Sequence, residues 1–212
     1  MYAQFARIGN ALASDKRLEL IDLLIQAPRN VDSLAAQTEL PVATVSQHLQ
    51  VLRNAKLVDS ERDGNKIVYR LADPGVLKMF LALRSVAENR LPEVEQLVRE
   101  YGIGAETKAV PIGSRAQDSK VVILDVRPKI EFNNGHLPGA VSMPVDELPK
   151  RISELPKEKQ IAAYCRGAYC MLADEAVVIL KKHGFNAVKM EDGWAEWAGA
   201  ETNGSRQLPR RS

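Results

Sequence analysis

Through the first hundred positions apolar residues recur at helical spacing: Phe5, Ile8 and Leu12, then Leu18, Ile21, Leu24 and Ile25. This three-to-four-residue rhythm belongs to helices with one buried face. Ser14, between the two runs, is of the type that caps a helix start. A third helix is expected after Asn30, carrying Leu34, and Pro41 stands in the first turn of a fourth, "PVATVSQHLQVLRNA", where its missing N–H costs nothing. That fourth helix would bury Val45, Leu49 and Leu52. The next stretch, "KLVDSERDGNKIVYRLA", divides into two β-prone segments around Asp63-Gly64-Asn65, a tight-turn sequence that closes a hairpin. Asp73-Pro74 would cap a long helix through Leu77, Phe80, Leu83 and Ala87. Pro92 should break or kink the continuing pattern before Val94, Leu97, Val98 and Tyr101.

After Tyr101 the rhythm changes. From Gly102 to about Lys120 the text is Gly, Ser, Pro and Lys without period, which suits a linker. "VVILDV" is then a continuous apolar run rich in branched residues, the mark of a strand buried on both faces, and "IAAYC" and "NAVKM" offer two more. Helical text lies between them: "VDELPKRISEL", and "MLADEAVVILKKHG" stopped by Gly184. Strands alternating with helices predict a parallel sheet covered on both sides, an α/β domain. Three short helices, a Pro-started fourth and a hairpin predict a mainly α winged helix-turn-helix before it. The expected organisation is a helical domain over 1–101, a linker over 102–119, an α/β domain over 120–202 and a polar basic tail over 203–212.

The chain has 212 residues and is 45% hydrophobic, enough for one large core or two modest ones, with two domains the better expectation. Its N-terminus has no apolar run followed by a cleavage site, and no stretch approaches the roughly 18 apolar residues of a membrane span. A cytoplasmic protein without membrane association is expected. In that reducing compartment the two cysteines, Cys165 and Cys170, are expected to be reactive or simply buried, not a permanent disulfide. A net charge of +2 does not by itself announce a nucleic-acid partner.

Local pattern speaks to such a partner more directly. With Val45, Leu49 and Leu52 inward, the fourth helix turns Thr44, Gln47 and Gln50 outward, with Ser46 and Arg53 at the edge. Hydroxyls and amides there would read base edges in a major groove, and Arg53, Arg62 and Lys66 would hold phosphates; the bland alternative is an ordinary solvated helix face. "TVSQHLQVLRNAKLV" followed by "RDGNKIVYRL" resembles the recognition helix and wing of the ArsR family of bacterial repressors, over about residues 2 to 100. The resemblance implies a homodimer joined through the first and last helices of the domain and bound to a two-fold symmetric double-stranded operator. Phe5, Ile8, Phe80 and Leu83 are then the dimer candidates, unless they fill the monomer's own core. Many members of that family sense metals through cysteines in the third helix or histidines and carboxylates in the last. Here the third-helix region reads "PRNVDSLAAQ", the last helix has no His, and His48, His136 and His183 are scattered. No metal site is expected, since soft metals need thiolate or imidazole clusters, and no cofactor is called for.

Cys165 comes directly after a buried strand and opens a short loop leading to a helix near Met171, the place where α/β folds put their sites. Loop amides and a helix N-terminus stabilise an anion there, which would lower the Cys165 pKa, prepare a nucleophile and cradle a terminal sulfur carried on that cysteine. Gly167 suits a tightly curled backbone. "LDVRPKIEFNNGHLPGA", "YCRGAYC" and "EDGWAEW" also resemble the rhodanese family in three separated motifs, over about residues 108 to 200. That resemblance implies sulfur transfer through a persulfide on Cys165, with the backbone of Arg166, Gly167, Ala168, Tyr169 and Cys170 as the cradle. It matches Asp125 and Arg127 to positions that brace the active loop, although a purely structural ion pair is the other reading of these two. Gly193, Trp194 and Trp197 match a packing motif. Two departures stand out. Rhodaneses acting on thiosulfate often end the loop with Arg or Lys, whereas this chain has Cys170, which makes thiosulfate a poorer donor. The segment before the first strand, "AVPIGSRAQDSK", is short for the family. A Cys-x5-Arg phosphatase loop is disfavoured because Met171 occupies the sixth position after Cys165.

Taken together, these features predict a homodimeric DNA-binding transcriptional regulator, a repressor, whose rhodanese-like domain captures reactive sulfur from a small donor (persulfide, polysulfide or thiosulfate) on Cys165. The competing expectation is a sulfurtransferase enzyme whose helical domain mainly dimerises it. Cys170 is expected either to resolve a Cys165 persulfide or to be a small buried residue at a helix start.

Overall fold

The computed structural model describes residues 1–101, 109–110 and 118–200, which fall into two compact units, Met1–Arg84 and Ser85–Ser212. Residues 102–108 and 111–117, which hold most of the expected linker and of the segment before the first long strand, lie outside the described residues, as does the expected tail.

The first unit contains α1 (Tyr2–Leu12), α2 (Asp15–Gln26), β1 (Arg29–Asn30), α3 (Val31–Thr38), α4 (Val42–Asn54), β2 (Val58–Asp63), β3 (Lys66–Leu71) and most of α5 (Pro74–Arg90). Helix starts follow local chemistry. Ser14 accepts from the Arg17 N–H and Asn30 from the Ser33 N–H, each satisfying an otherwise orphaned donor. Pro41 is the cap residue of α4, one place earlier than expected, and its carbonyl accepts from Val45 N at 3.1 Å. Leu20, Ile21, Leu34, Val45, Leu49 and Leu52 are fully buried and form the core. In the hairpin, Asp63 pairs with Lys66, leaving Gly64-Asn65 as a two-residue turn with Gly64 at φ +59; this left-handed conformation favours glycine. β1, with only two residues and no period to read, adds a third strand in the order β1-β3-β2. A winged helix-turn-helix results.

In the second unit, α5 stops at Arg90 and α6 (Pro92–Glu100) begins with Pro92 in its first turn, the break the sequence predicts. The sheet consists of β4 (Ala109–Val110), β5 (Val121–Asp125), β6 (Val141–Ser142), β7 (Gln160–Tyr164) and β8 (Ala187–Met190), in the order β4-β8-β7-β5-β6 with every neighbour parallel. Thus Ala109 and Val110, within the stretch read as linker, form an edge strand. α7 (Lys129–Asn134), α8 (Leu148–Arg151), α9 (Leu172–Lys182) and α10 (Trp194–Ala200) complete it. The helix expected over "VDELPKRISEL" is only one α turn followed by a 3-10 turn at Ile152–Glu154. Pro149 accounts for this, because it is tolerated only in a helix's first turn.

Side-chain alternation along β7 divides the core. Ile161, Ala163 and Cys165 pack with Ala173, Ala176, Val177 and Leu180 of α9. Ala162 and Tyr164 pack with Leu137, Trp194 and Trp197. The period of two therefore places the Cys165 side chain on the α9 face at the carboxyl end of a buried strand.

Candidate functional site

On α4, Gln47, Gln50 and Arg53 are exposed while Thr44 and Ser46 are half-buried. Arg53 Nη1 lies 3.4 Å from Ser60 Oγ on β2, and Arg62 on the wing donates to the Gly64 carbonyl at 3.1 Å. Lys66 is exposed. One face thus carries two side-chain amides flanked by cations, a composition that can meet both base edges and phosphates. His48 is half-buried on the same helix.

The second site is the loop from Cys165 to Cys170. Cys165 is 2% exposed, and both cysteines are free thiols. The Cys170 N–H bonds the Gly167 carbonyl at 3.1 Å, curling the loop so that Cys165 Sγ comes to 3.3 Å from the Cys170 carbonyl oxygen. The Gly167 and Ala173 amides face the Cys165 sulfur, and the Arg166 and Leu172 amides face that of Cys170. Two of these four donors open α9, so the helix N-terminus contributes as its position after the strand predicts.

The side chains of the loop point elsewhere. Arg166 forms a bidentate pair with Glu131, its Nη2 2.7 Å from Oε1, and its positive charge also helps to lower the Cys170 thiol. Ala168 is half-buried. Tyr169 is exposed and donates to Glu88 Oε1 at 2.6 Å within the same unit. From below, the Trp194 and Ala195 amides bond the Cys165 and Arg166 carbonyls at 3.0 and 3.2 Å. The Gly193 backbone lies so close that a Cβ there would sit 2.5 Å from both the Cys165 O and the Gly167 N.

Asp125 and Arg127 are completely buried and paired, Arg127 Nη2 to Asp125 Oδ2 at 2.6 Å. Arg127 Nη2 also donates to the Gly135 carbonyl at 2.8 Å, while Asp125 accepts from the Tyr164 hydroxyl. The guanidinium faces the Tyr164 and Trp194 rings. Such contacts put the pair beneath the loop, linked to it through Tyr164 and Trp194. Glu131 and Tyr164 were not among the residues singled out from sequence. Glu131 meets Arg166 across 35 positions, and no local pattern announces a contact of that separation.

The expectation of a depressed Cys165 pKa needs correction. In the reduced loop, burial and the neighbouring Cys170 push the Cys165 thiol well up. Cys170 is lowered to about 7, first because the Cys165 thiol donates to it, with the Arg166 and Leu172 amides assisting. When the pair loses its first proton, the negative charge is held on Cys170. Because the thiolate is the reactive form, alkylation of Cys170 is expected to rise through a midpoint near pH 7. In Cys165→Ala the midpoint should move up with loss of the donor, as read by rate-versus-pH profiles with iodoacetamide.

A winged helix-turn-helix, joined to an α/β domain with a cysteine loop at the end of a buried strand, defines the class of the chain. Residues 14–60 match the bacterial regulatory protein, arsR family, and residues 112–200 match the rhodanese-like domain. The HTH-type transcriptional regulator Rv0324 of Mycobacterium tuberculosis is 37% identical over 92% of this chain and 87% of its own length. The chain belongs to the family of that regulator, an arsR-type helix-turn-helix joined to a rhodanese-like domain. The tRNA uridine(34) hydroxylase of Salmonella arizonae is 28% identical over 79% of this chain, which spans 49% of that protein. A homodimeric winged helix-turn-helix DNA-binding domain from Mycobacterium bovis, solved by NMR, is 38% identical, covers 42% of this chain and 83% of its own, and gives a TM-score of 0.41. No helix among the described residues is long and apolar enough to cross a membrane.

Proposed function

We propose that the protein is a cytoplasmic, homodimeric repressor that binds double-stranded operator DNA through α4 and the wing, and that it answers reactive sulfur captured as a persulfide on Cys165. The observation that carries the sulfur half is the buried Cys165 sulfur inside a curled loop at the start of α9, where the Gly167 and Ala173 backbone favours its anion. A terminal sulfur there would carry negative charge stabilised by those donors. Dimerisation is supported by apolar side chains left in the open on α1 and α5: Tyr2 and Phe5, and Leu83 and Val86, the last 62% exposed. Such exposure is what an isologous interface covers. Ile8 and Phe80 are half-buried on the same two helices.

The reading is tested by titrating full-length protein onto DNA from its own upstream region, reduced and persulfide-treated, across a salt series. Treatment should change specific affinity in the wild type and not in Cys165→Ser, since only a ligand state with differential affinity moves the equilibrium. Absence of specific binding in either state, together with sulfur-transfer turnover, would leave a sulfurtransferase instead. In the same assay Gln47→Ala should weaken specific binding by about 1–3 kcal/mol and relax sequence preference at one position. Arg53→Ala should weaken all sequences alike and flatten the salt dependence by about one phosphate contact.

A further inference from the structure

Capture of sulfur on Cys165 leaves the second thiol of the loop without a task. Cys170 is not a remote cysteine. It ends the turn closed by the Gly167 carbonyl, and its own carbonyl oxygen lies 3.3 Å from Cys165 Sγ. Both sulfurs border the same apolar cluster under α9, so water competes little for either. Separate backbone amides serve each sulfur: Gly167 and Ala173 for one, Arg166 and Leu172 for the other.

We propose that Cys170 works with Cys165, first as the base that takes its proton and then as the nucleophile that displaces the captured sulfur, closing a Cys165–Cys170 disulfide and releasing hydrogen sulfide. The inference rests on the proposed capture at Cys165 and adds the fate of the captured atom. In the first step the Cys170 thiolate accepts the Cys165 proton while the Cys165 sulfur attacks the outer sulfur of a donor R–S–SH. The donor's S–S bond breaks, and RS⁻ leaves with the electron pair. In the second step the Cys170 sulfur attacks Cys165 Sγ and the bond from Sγ to the captured sulfur breaks. The hydrosulfide leaves with that electron pair and takes the Cys170 proton as hydrogen sulfide. Two thiols are oxidised to one disulfide, and one sulfane sulfur is reduced to sulfide, with the donor as the oxidant. Such a loop converts a short-lived persulfide into a covalent state that persists until a reductant reaches it. The position of Cys170 as the lower-pKa member of the pair suits the order of steps, because the base must be deprotonated when the donor arrives.

The test treats full-length protein with glutathione persulfide and follows sulfide release and intact mass after alkylation, for wild type, Cys170→Ser, Cys170→Ala and Cys165→Ser. Wild type should release stoichiometric sulfide and become two hydrogen atoms lighter, reverting with dithiothreitol. Both Cys170 variants, lacking the base, should take up sulfur more slowly but then hold one added sulfur atom on Cys165 and release no sulfide, and Cys165→Ser should form no bridge. A wild type that keeps an added sulfur on Cys165 with Cys170 open to alkylation, like the Cys170 variants, overturns the proposal while leaving capture intact. If neither wild type nor either Cys170 variant takes up sulfur, the capture reading fails and the proposal with it.

Discussion

Replacing Arg127 with alanine is expected to destabilise the second unit by about 3–5 kcal/mol, the cost of breaking a buried ion pair by removing one partner. Asp125 would keep the Tyr164 hydroxyl and the backbone N–H of residue 127 as donors, yet its carboxylate would face a cavity where the guanidinium lay. The Gly135 carbonyl would also lose its donor, and an unsatisfied buried acceptor adds to the penalty. The two tryptophans of the chain, Trp194 and Trp197, both sit in this unit's core, so urea unfolding followed by tryptophan fluorescence reads the effect where it occurs. A loss under about 1 kcal/mol would mean that water or a neighbouring residue restores the carboxylate's partners. Combining Arg127→Met with Asp125→Asn should recover much of the loss, because the charge left behind, more than the missing contact, sets the cost.

The same pair marks how far sequence alone reaches. Asp125 and Arg127 stand out as charged residues ending an apolar strand, but the text cannot decide between a catalytic brace and a structural pair; complete burial beneath the loop, with bonds to Tyr164 and Gly135, decides what they touch. The helices of the first unit were legible because period and caps agree: Ser14, Asn30, and the Val45, Leu49, Leu52 stripe. Long strands announced themselves by composition. The two-residue strands β1, β4 and β6 did not, since each is defined only by its partner across the sheet. Position after β7 placed Cys165 correctly in the loop. The proton's preference did not follow, because burial of one sulfur and the donors given to the other depend on side-chain alternation along β7 and on the start of α9, which are tertiary facts.

Gly193→Ala should damage the sulfur site more than any comparably small change. A Cβ at 193 would lie 2.5 Å from the Cys165 carbonyl oxygen, 2.5 Å from the Gly167 nitrogen and 2.6 Å from the Arg166 carbonyl carbon. All three are backbone atoms of the cradle, so no rotamer change relieves the clash, and the loop itself must shift. Overpacking of this kind costs about 1–3 kcal/mol. The functional loss should be larger, since the Gly167 amide faces the Cys165 sulfur and a misplacement of about 1 Å in a reacting constellation can cost on the order of 100-fold. Persulfide uptake on Cys165, followed by stopped-time alkylation and mass analysis, is expected to slow to that degree. Operator binding by the reduced protein should persist, because Gly193 belongs to the second unit and α4 to the first. Gly139→Ala is the matched control. With φ at +75 and nothing within 4 Å of its Cβ position, that substitution pays only backbone strain of about 1–2 kcal/mol, and sulfur uptake should continue at the wild-type rate. Equal slowing in both variants would mean that general loosening, and not contact between Gly193 and the cradle, governs the chemistry of the loop.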